Sequence, residues 1–172
     1  MRKTLIATSL LLATGLAAAA DAPARKSGLW EITNNMSGPH PMTTTMQQCV
    51  DEKTDKLTEQ TGSKEAKQNC SKNEVSRSGG KVISDSVCKF DGTTATTHAE
   101  FSGDFGSNYR GDIKTTYAPP MHGMKESQMA ITAKWLGPCK AGMKPGDVMM
   151  QGIPGMPAGM KFNPADMQKQ MR

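Results

Sequence analysis

Large apolar side chains are scarce in this sequence. After residue 20 it carries seventeen Leu, Ile, Val and Phe residues, with two Trp and two Tyr. Such a supply excludes a thick aliphatic core and borders on the composition of chains that stay unfolded without help. Histidine is nearly missing too, at three residues. His-Glu-x-x-His, Gly-x-Ser-x-Gly and a phosphate-cradling Gly loop are all absent, so the motifs that announce hydrolytic or phosphate chemistry have no counterpart here. No two cysteines stand at Cys-x-x-Cys spacing, which sets aside a dithiol redox centre, a zinc knuckle and haem attachment. One-signed charge is also lacking. The formal net charge is +5, two units of it from Arg2 and Lys3, and no basic stripe follows. A nucleic-acid partner is therefore not expected. Nor is an enzymatic activity or a cofactor.

What the chain does have begins at its first residues. Met1-Arg2-Lys3 is a short basic region, Leu5 to Ala20 is apolar apart from small polar residues, and Ala18 and Ala20 supply the small side chains of a cleavage site. Residues 1–20 read as a signal peptide, which directs the mature chain to the periplasm or outside the cell. Beyond them no apolar run is long enough to span a bilayer, so no membrane span is expected in the mature chain.

Four cysteines then make sense as two structural disulfides, since an exported chain with a thin core commonly relies on them. Cys70 and Cys88 lie symmetrically about Gly79 within Ser78-Gly79-Gly80. A three-residue hairpin loop centred there places the two cysteines opposite each other and Val75 opposite Ile83. By elimination, Cys49 pairs with Cys139.

Period-two alternation recurs along the chain. Trp30 to Met36, Tyr109 to Tyr117 and Met129 to Trp135 alternate apolar with polar residues, and shorter candidates lie at Thr43–Val50, Cys70–Arg77, Lys81–Phe90 and Thr94–Ser102. Separated by Gly-rich turns, these predict a mainly β fold: an antiparallel meander, curved or partly closed into a barrel, with one buried face. A short helix is expected from Asp51 toward Gly62. From Lys140 to Arg172, Gly, Pro and Met dominate and no period survives, so residues 140–172 read as a flexible tail with a final helical turn or two capped by Asn163-Pro164.

The opening Ser27-Gly28-Leu29-Trp30-Glu31-Ile32, the Gln48-Cys49 pair, the middle cysteines Cys70 and Cys88, and the closing Trp135-Leu136-Gly137-Pro138-Cys139 stand in an order that resembles the bacterial exported family known as domain of unknown function 3617. The resemblance covers roughly residues 26–139. It implies a small disulfide-linked periplasmic domain, and it carries no activity, cofactor or site residue with it.

Two functional readings come from the residues themselves. In the first, the protein is a non-enzymatic envelope protein whose incompletely covered sheet face takes a small apolar ligand or a partner segment, with Trp30, Tyr109, Tyr117 and Trp135 as candidate contacts. In the second, Met121-His122-Gly123-Met124 and the Met-rich tail handle Cu(I), because thioethers are soft ligands. Methionine also fills irregular core gaps, and Met129 fits a strand's apolar face. His40 and His98 have no Cys, His or carboxylate at ligand spacing in the sequence and read as surface.

Overall fold

The computed structural model describes residues 24–38, 41–55, 68–151, 159–164 and 166–167. The signal-peptide reading of residues 1–20 and the loop residue His40 lie outside these residues.

Nine strands form one antiparallel sheet. In chain order they are β1 (Gly28–Ser37), β2 (Met42–Val50), β3 (Cys70–Ser78), β4 (Lys81–Phe90), β5 (Thr93–Gly103), β6 (Asn108–Met121), β7 (Met124–Gly137), β8 (Val148–Gln151) and β9 (Lys161–Phe162). Their order across the sheet is β3-β4-β5-β6-β7-β1-β2-β8-β9. β3 through β7 form the meander expected from the alternation. β1 then pairs with β7 and puts the first strand near the middle. The sheet does not close: β3 and β9 are its two edges.

Register explains the faces. Directly paired residues in antiparallel strands project from the same side. Tyr109, Ala133, Ile32, Met46 and Met150 make one such row. Val82, Phe101, Gly111, Ile131 and Asn34 make the next. These rows define an inner face. Glu31, Gln47 and Lys134 form a neighbouring row on the outer face. Gly111 is required by packing, since a Cβ there would lie 2.5 Å from carbons of the Phe101 ring. Buried Trp30, Ile32, Val50, Val82, Phe105, Tyr109 and Ala133 form the core, all toward one end of the inner face.

Both disulfides are the expected pairs, Cys49–Cys139 and Cys70–Cys88. The hairpin register behind the second differs from expectation. Ser78 faces Lys81, so the loop has two residues, Gly79 and Gly80, at φ +57° and +77°. Two adjacent left-handed glycines give the turn whose twist suits a β-hairpin, and that preference overrides the three-residue loop. A bulge between Cys70 and Lys72 then restores Cys70 opposite Cys88, whereas Val75 faces Ser84 rather than Ile83.

Two other expectations change. The Met-loop at Met121–Met124 is a second tight hairpin, with Met121 paired to Met124 and His122 and Gly123 at φ +48° and +81°. The segment after Cys139 extends the sheet. β8 pairs with β2 and β9 with β8, and the Cys49 amide donates to the Asp147 carbonyl at 2.9 Å. Asp147 organises this docking: it accepts from the Lys144 amide at 2.9 Å and from Asn163 Nδ2 at 3.1 Å. A turn begins at Asn163, whose carbonyl accepts from the amides of Asp166 and Met167. In the stretch expected to be helical, residues 52–54 form a turn, 56–67 lie outside the described residues, and 68–69 are helical.

The two cross-links close loops of different length, with sequence separations of 90 and 18. Replacing Cys49 and Cys139 together by Ser is expected to cost about 4 kcal/mol in urea unfolding, and replacing Cys70 and Cys88 about 3, since loop-closure entropy grows slowly with length. Peptide mapping without reduction should recover Cys49–Cys139 and Cys70–Cys88. A Cys49–Cys70 or Cys88–Cys139 linkage refutes both the pairing and the order of the two effects.

Candidate functional site

Of the four aromatic residues singled out in the sequence, the structure brings three to one end of the inner face. Trp30 and Trp135 are cross-strand partners. Trp30 is fully buried, its indole N–H donating to the Lys26 carbonyl at 2.8 Å. Its ring centroid lies 5.7 Å from that of Tyr109, and Tyr109 stacks on Phe105 at 5.4 Å. Trp135 is half-buried, its Nε1 donating to the Ser27 carbonyl and its ring covered by the Lys26 ammonium at 3.7 Å. Tyr117 is elsewhere. Eight residues further along β6 it lies opposite Ala95, half-buried, its hydroxyl 3.1 Å from Ser127 Oγ.

A buried ionic group beside Tyr109 was not legible in the sequence. Arg25 is 3% exposed. It donates from Nε and Nη2 to the two Asp55 oxygens at 2.9 and 2.7 Å, and from Nη1 to Gln48 Oε1 at 3.1 Å and the Tyr109 hydroxyl at 3.5 Å. Burial pushes the Arg25 guanidinium down, but Asp55 and Tyr109 outweigh it and its pKa is raised. Burial raises the Tyr109 phenol, so it stays neutral and hydrogen-bonding. No spacing marks Arg25 or Asp55 as partners, because a turn and two strand ends assemble the group. Every buried side-chain polar atom among the described residues has a partner.

Phe105 was likewise missed. It sits at φ +54°, held by a loop that Asp104 ties together. The Asp104 carboxylate accepts from Ser107 Oγ at 2.6 Å and from the amides of Ser107, Asn108 and Gly106. These bonds, the Ser107 hydroxyl first, hold it well below the usual carboxylate range. The only sequence signal was the Gly103-Asp104-Phe105-Gly106 turn, which fixes the bend but not which face its Phe covers.

Aromatic and ionic packing stops partway along the face. Beyond it lies a row of Ala99, Ile113, Met129 and Met36, then Thr97, Thr115 and Ser127. Ile113, Met129, Met36 and Tyr117 are all half-buried. All nine strands belong to one sheet, so no second sheet among the described residues covers this half. A shallow hollow of about 260 Å³ lies mainly on the outer face, beside His98, Asp112, Lys114 and Gln128. Another, of about 400 Å³, lies near Gly38 and Met124. None of the four candidate aromatic residues lines either hollow.

The family model of DUF3617, described as a protein of unknown function, matches residues 25–139. The chain is a DUF3617 protein. No curated protein and no solved structure matches it. The stretch matched to DUF3617 runs from buried Arg25 to bridged Cys139, so it contains both disulfides and the aromatic end of the sheet.

His98 is on the outer face as expected, but against expectation it has two carboxylate neighbours, Asp85 on the adjacent strand and Glu100 two residues along its own. Asp85 lies 2.8 Å from its Nδ1 and Glu100 3.5 Å from its Nε2. Among the described residues no group of three His, Cys, Asp or Glu side chains is arranged to hold a metal.

Two predictions come from these groups. Asp55→Ala leaves the Arg25 guanidinium buried without its counter-charge, an expected loss of about 3–5 kcal/mol in denaturant unfolding, whereas Arg25→Met with Asp55→Leu should be close to neutral. If Asp55→Ala unfolds at the wild-type midpoint, the pair does not hold the N-terminal segment. Second, the Asp85 hydrogen bond raises the His98 pKa above the ordinary value of 6.5. Any stabilisation is therefore complete below that value and is lost as pH rises through the raised one, and exposure keeps it small. An NMR titration should show the His98 midpoint moving down in Asp85→Asn, and an unmoved midpoint refutes the pairing.

Proposed function

We propose that this chain is an exported, non-enzymatic binding protein that holds a small apolar ligand, or an apolar segment of an envelope protein, along the uncovered half of its inner face. The observation that carries this reading is that Ile113, Met129 and Tyr117 are only partly buried on a face that no second sheet among the described residues covers. Exposed apolar area of this kind on a folded domain is a common mark of a ligand or partner surface. Trp30 and Tyr109 serve as the closed end of that surface, and Tyr117 lies along it. The surface is open, so a ligand would lie along the strands.

One further fact supports the compartment. Paired cysteines suit an oxidising environment outside the cytoplasm. No helix among the described residues is long and apolar enough to cross a membrane.

An uncharged, environment-sensitive apolar dye, Nile red, tests the surface. Ile113→Lys places a charge in the middle of the uncovered half and should weaken dye binding at least tenfold. Thr132→Lys, on the outer face, should leave it unchanged. Retained Trp fluorescence and intact disulfides mark both variants as folded. Equal dye affinity in wild type and Ile113→Lys overturns the reading, as does loss of binding in Thr132→Lys alone.

A further inference from the structure

Strand register assembles three methionines that are far apart in the sequence. Met36 lies directly opposite Met42 on β2 and directly opposite Met129 on β7. Opposed residues share a face with Cα atoms about 4.5–5.5 Å apart, so three thioethers stand side by side across three adjacent strands. The row continues through Ile113 to Ala99 and contains no carboxylate, imidazole or thiol. Met36 and Met129 are half-buried and Met42 is 56% exposed, so the row is open on the β2 side.

We propose that Met36, Met42 and Met129 form a thioether site for a soft monovalent cation, Cu(I) being the one with biological chemistry. Neutral, polarisable sulfur selects Cu(I), and it is a poor match for Mg²⁺ or Ca²⁺, which take oxygen ligands. With no carboxylate in the row, nothing offsets the charge of a dication, whereas a single positive charge is tolerated among sulfurs. Paired strands fix the three Cα positions. The unbranched side chains then bring their sulfurs onto one ion at low conformational cost.

This site differs from the Met121-His122-Gly123-Met124 hairpin. There, Met121 and Met124 also face each other, but across a tight turn that supplies two thioethers and one exposed imidazole. It also differs from the apolar-ligand reading in what it demands of the same face. A ligand uses the area of these side chains and a cation uses their sulfur. Leu in place of Met keeps the first and removes the second, a volume-conserving exchange that cores tolerate well.

The test uses the full chain with both disulfides formed. Ag(I), an air-stable soft monovalent probe, is titrated in chloride-free buffer against protein carrying ¹³C-methyl methionine. Cu(I) affinity is measured separately by competition with bicinchoninate. The first equivalent should shift the Met36, Met42 and Met129 methyl resonances together. The triple variant Met36→Leu, Met42→Leu, Met129→Leu should lose Cu(I) affinity at least tenfold, and Met121→Leu with Met124→Leu should retain it. Met42→Leu alone changes only an exposed position and should weaken binding at least threefold. If the first equivalent shifts Met121, Met124 or methyls after residue 140 instead, or if the triple variant binds Cu(I) as the wild type does, the site is refuted.

Discussion

Trp30 packed on Tyr109, and Tyr109 on Phe105, is the contact on which the rest of the sheet depends. These rings, with Ile32, Val50, Val82 and Ala133, are the buried apolar core. A sheet whose two longest strands have 14 residues offers far more inner face than so few side chains can cover. Concentrating the large rings at one end gives that end its buried core. At the other end the described residues contribute backbone hydrogen bonds, cross-strand pairs and the small buried side chains of Cys88, Ala95 and Ala99. The polar groups around the rings follow from the same choice. A buried indole, a phenol and a guanidinium each need partners, and Lys26, Gln48 and Asp55 supply them.

Cross-linking compensates where burial is thin. Cys70–Cys88 ties the edge strand β3 to β4, and β3 is exposed along nearly all its length. Cys49–Cys139 acts at the opposite flank, fixing the end of β2 to the chain that leaves β7. That bridge also sets the start of the following segment. The Cys49 amide donates to the Asp147 carbonyl, and the Gly146 amide donates to the Cys49 carbonyl. β8 can therefore add to β2 with only four residues, because its approach is already constrained.

Strands, faces and cysteine partners were legible because each rests on a local rule. Period two marks Tyr109–Tyr117 and Met129–Trp135 whatever else surrounds them, and Lys81–Phe90 was bounded to the residue. The hairpin at Gly79 shows the limit of such reasoning. Symmetry about one glycine named the right cysteines from the wrong register, since a two-residue turn and a bulge displace the pairing by one and then restore it. Arg25 with Asp55, His98 with Asp85, and Met36 between Met42 and Met129 were not legible for a different reason. Each is a relation between strands, and the order β7-β1-β2 that creates the last of them is not implied by any single segment. β8 was hidden by composition: Val148-Met149-Met150-Gln151 is too short to show a period, and Asp147 and the disulfide, rather than propensity, place it.

Beyond the aromatic end, hydroxyls on the inner face pair with one another. Thr97 and Thr115 hydroxyls lie 2.9 Å apart across β5 and β6, and Tyr117 and Ser127 pair at 3.1 Å across β6 and β7. Hydroxyls that satisfy each other make smaller demands on solvent, so displacing water from them costs less than displacing it from unpaired ones. Ile113 and Met129 lie between these pairs and the aromatic end. Along the strands the face thus passes from aromatic rings, through aliphatic and thioether side chains, to internally bonded hydroxyls. Under the proposed function, that gradient would give an elongated ligand a direction, with its most apolar part toward Tyr109 and its polar end toward Thr115 and Ser127.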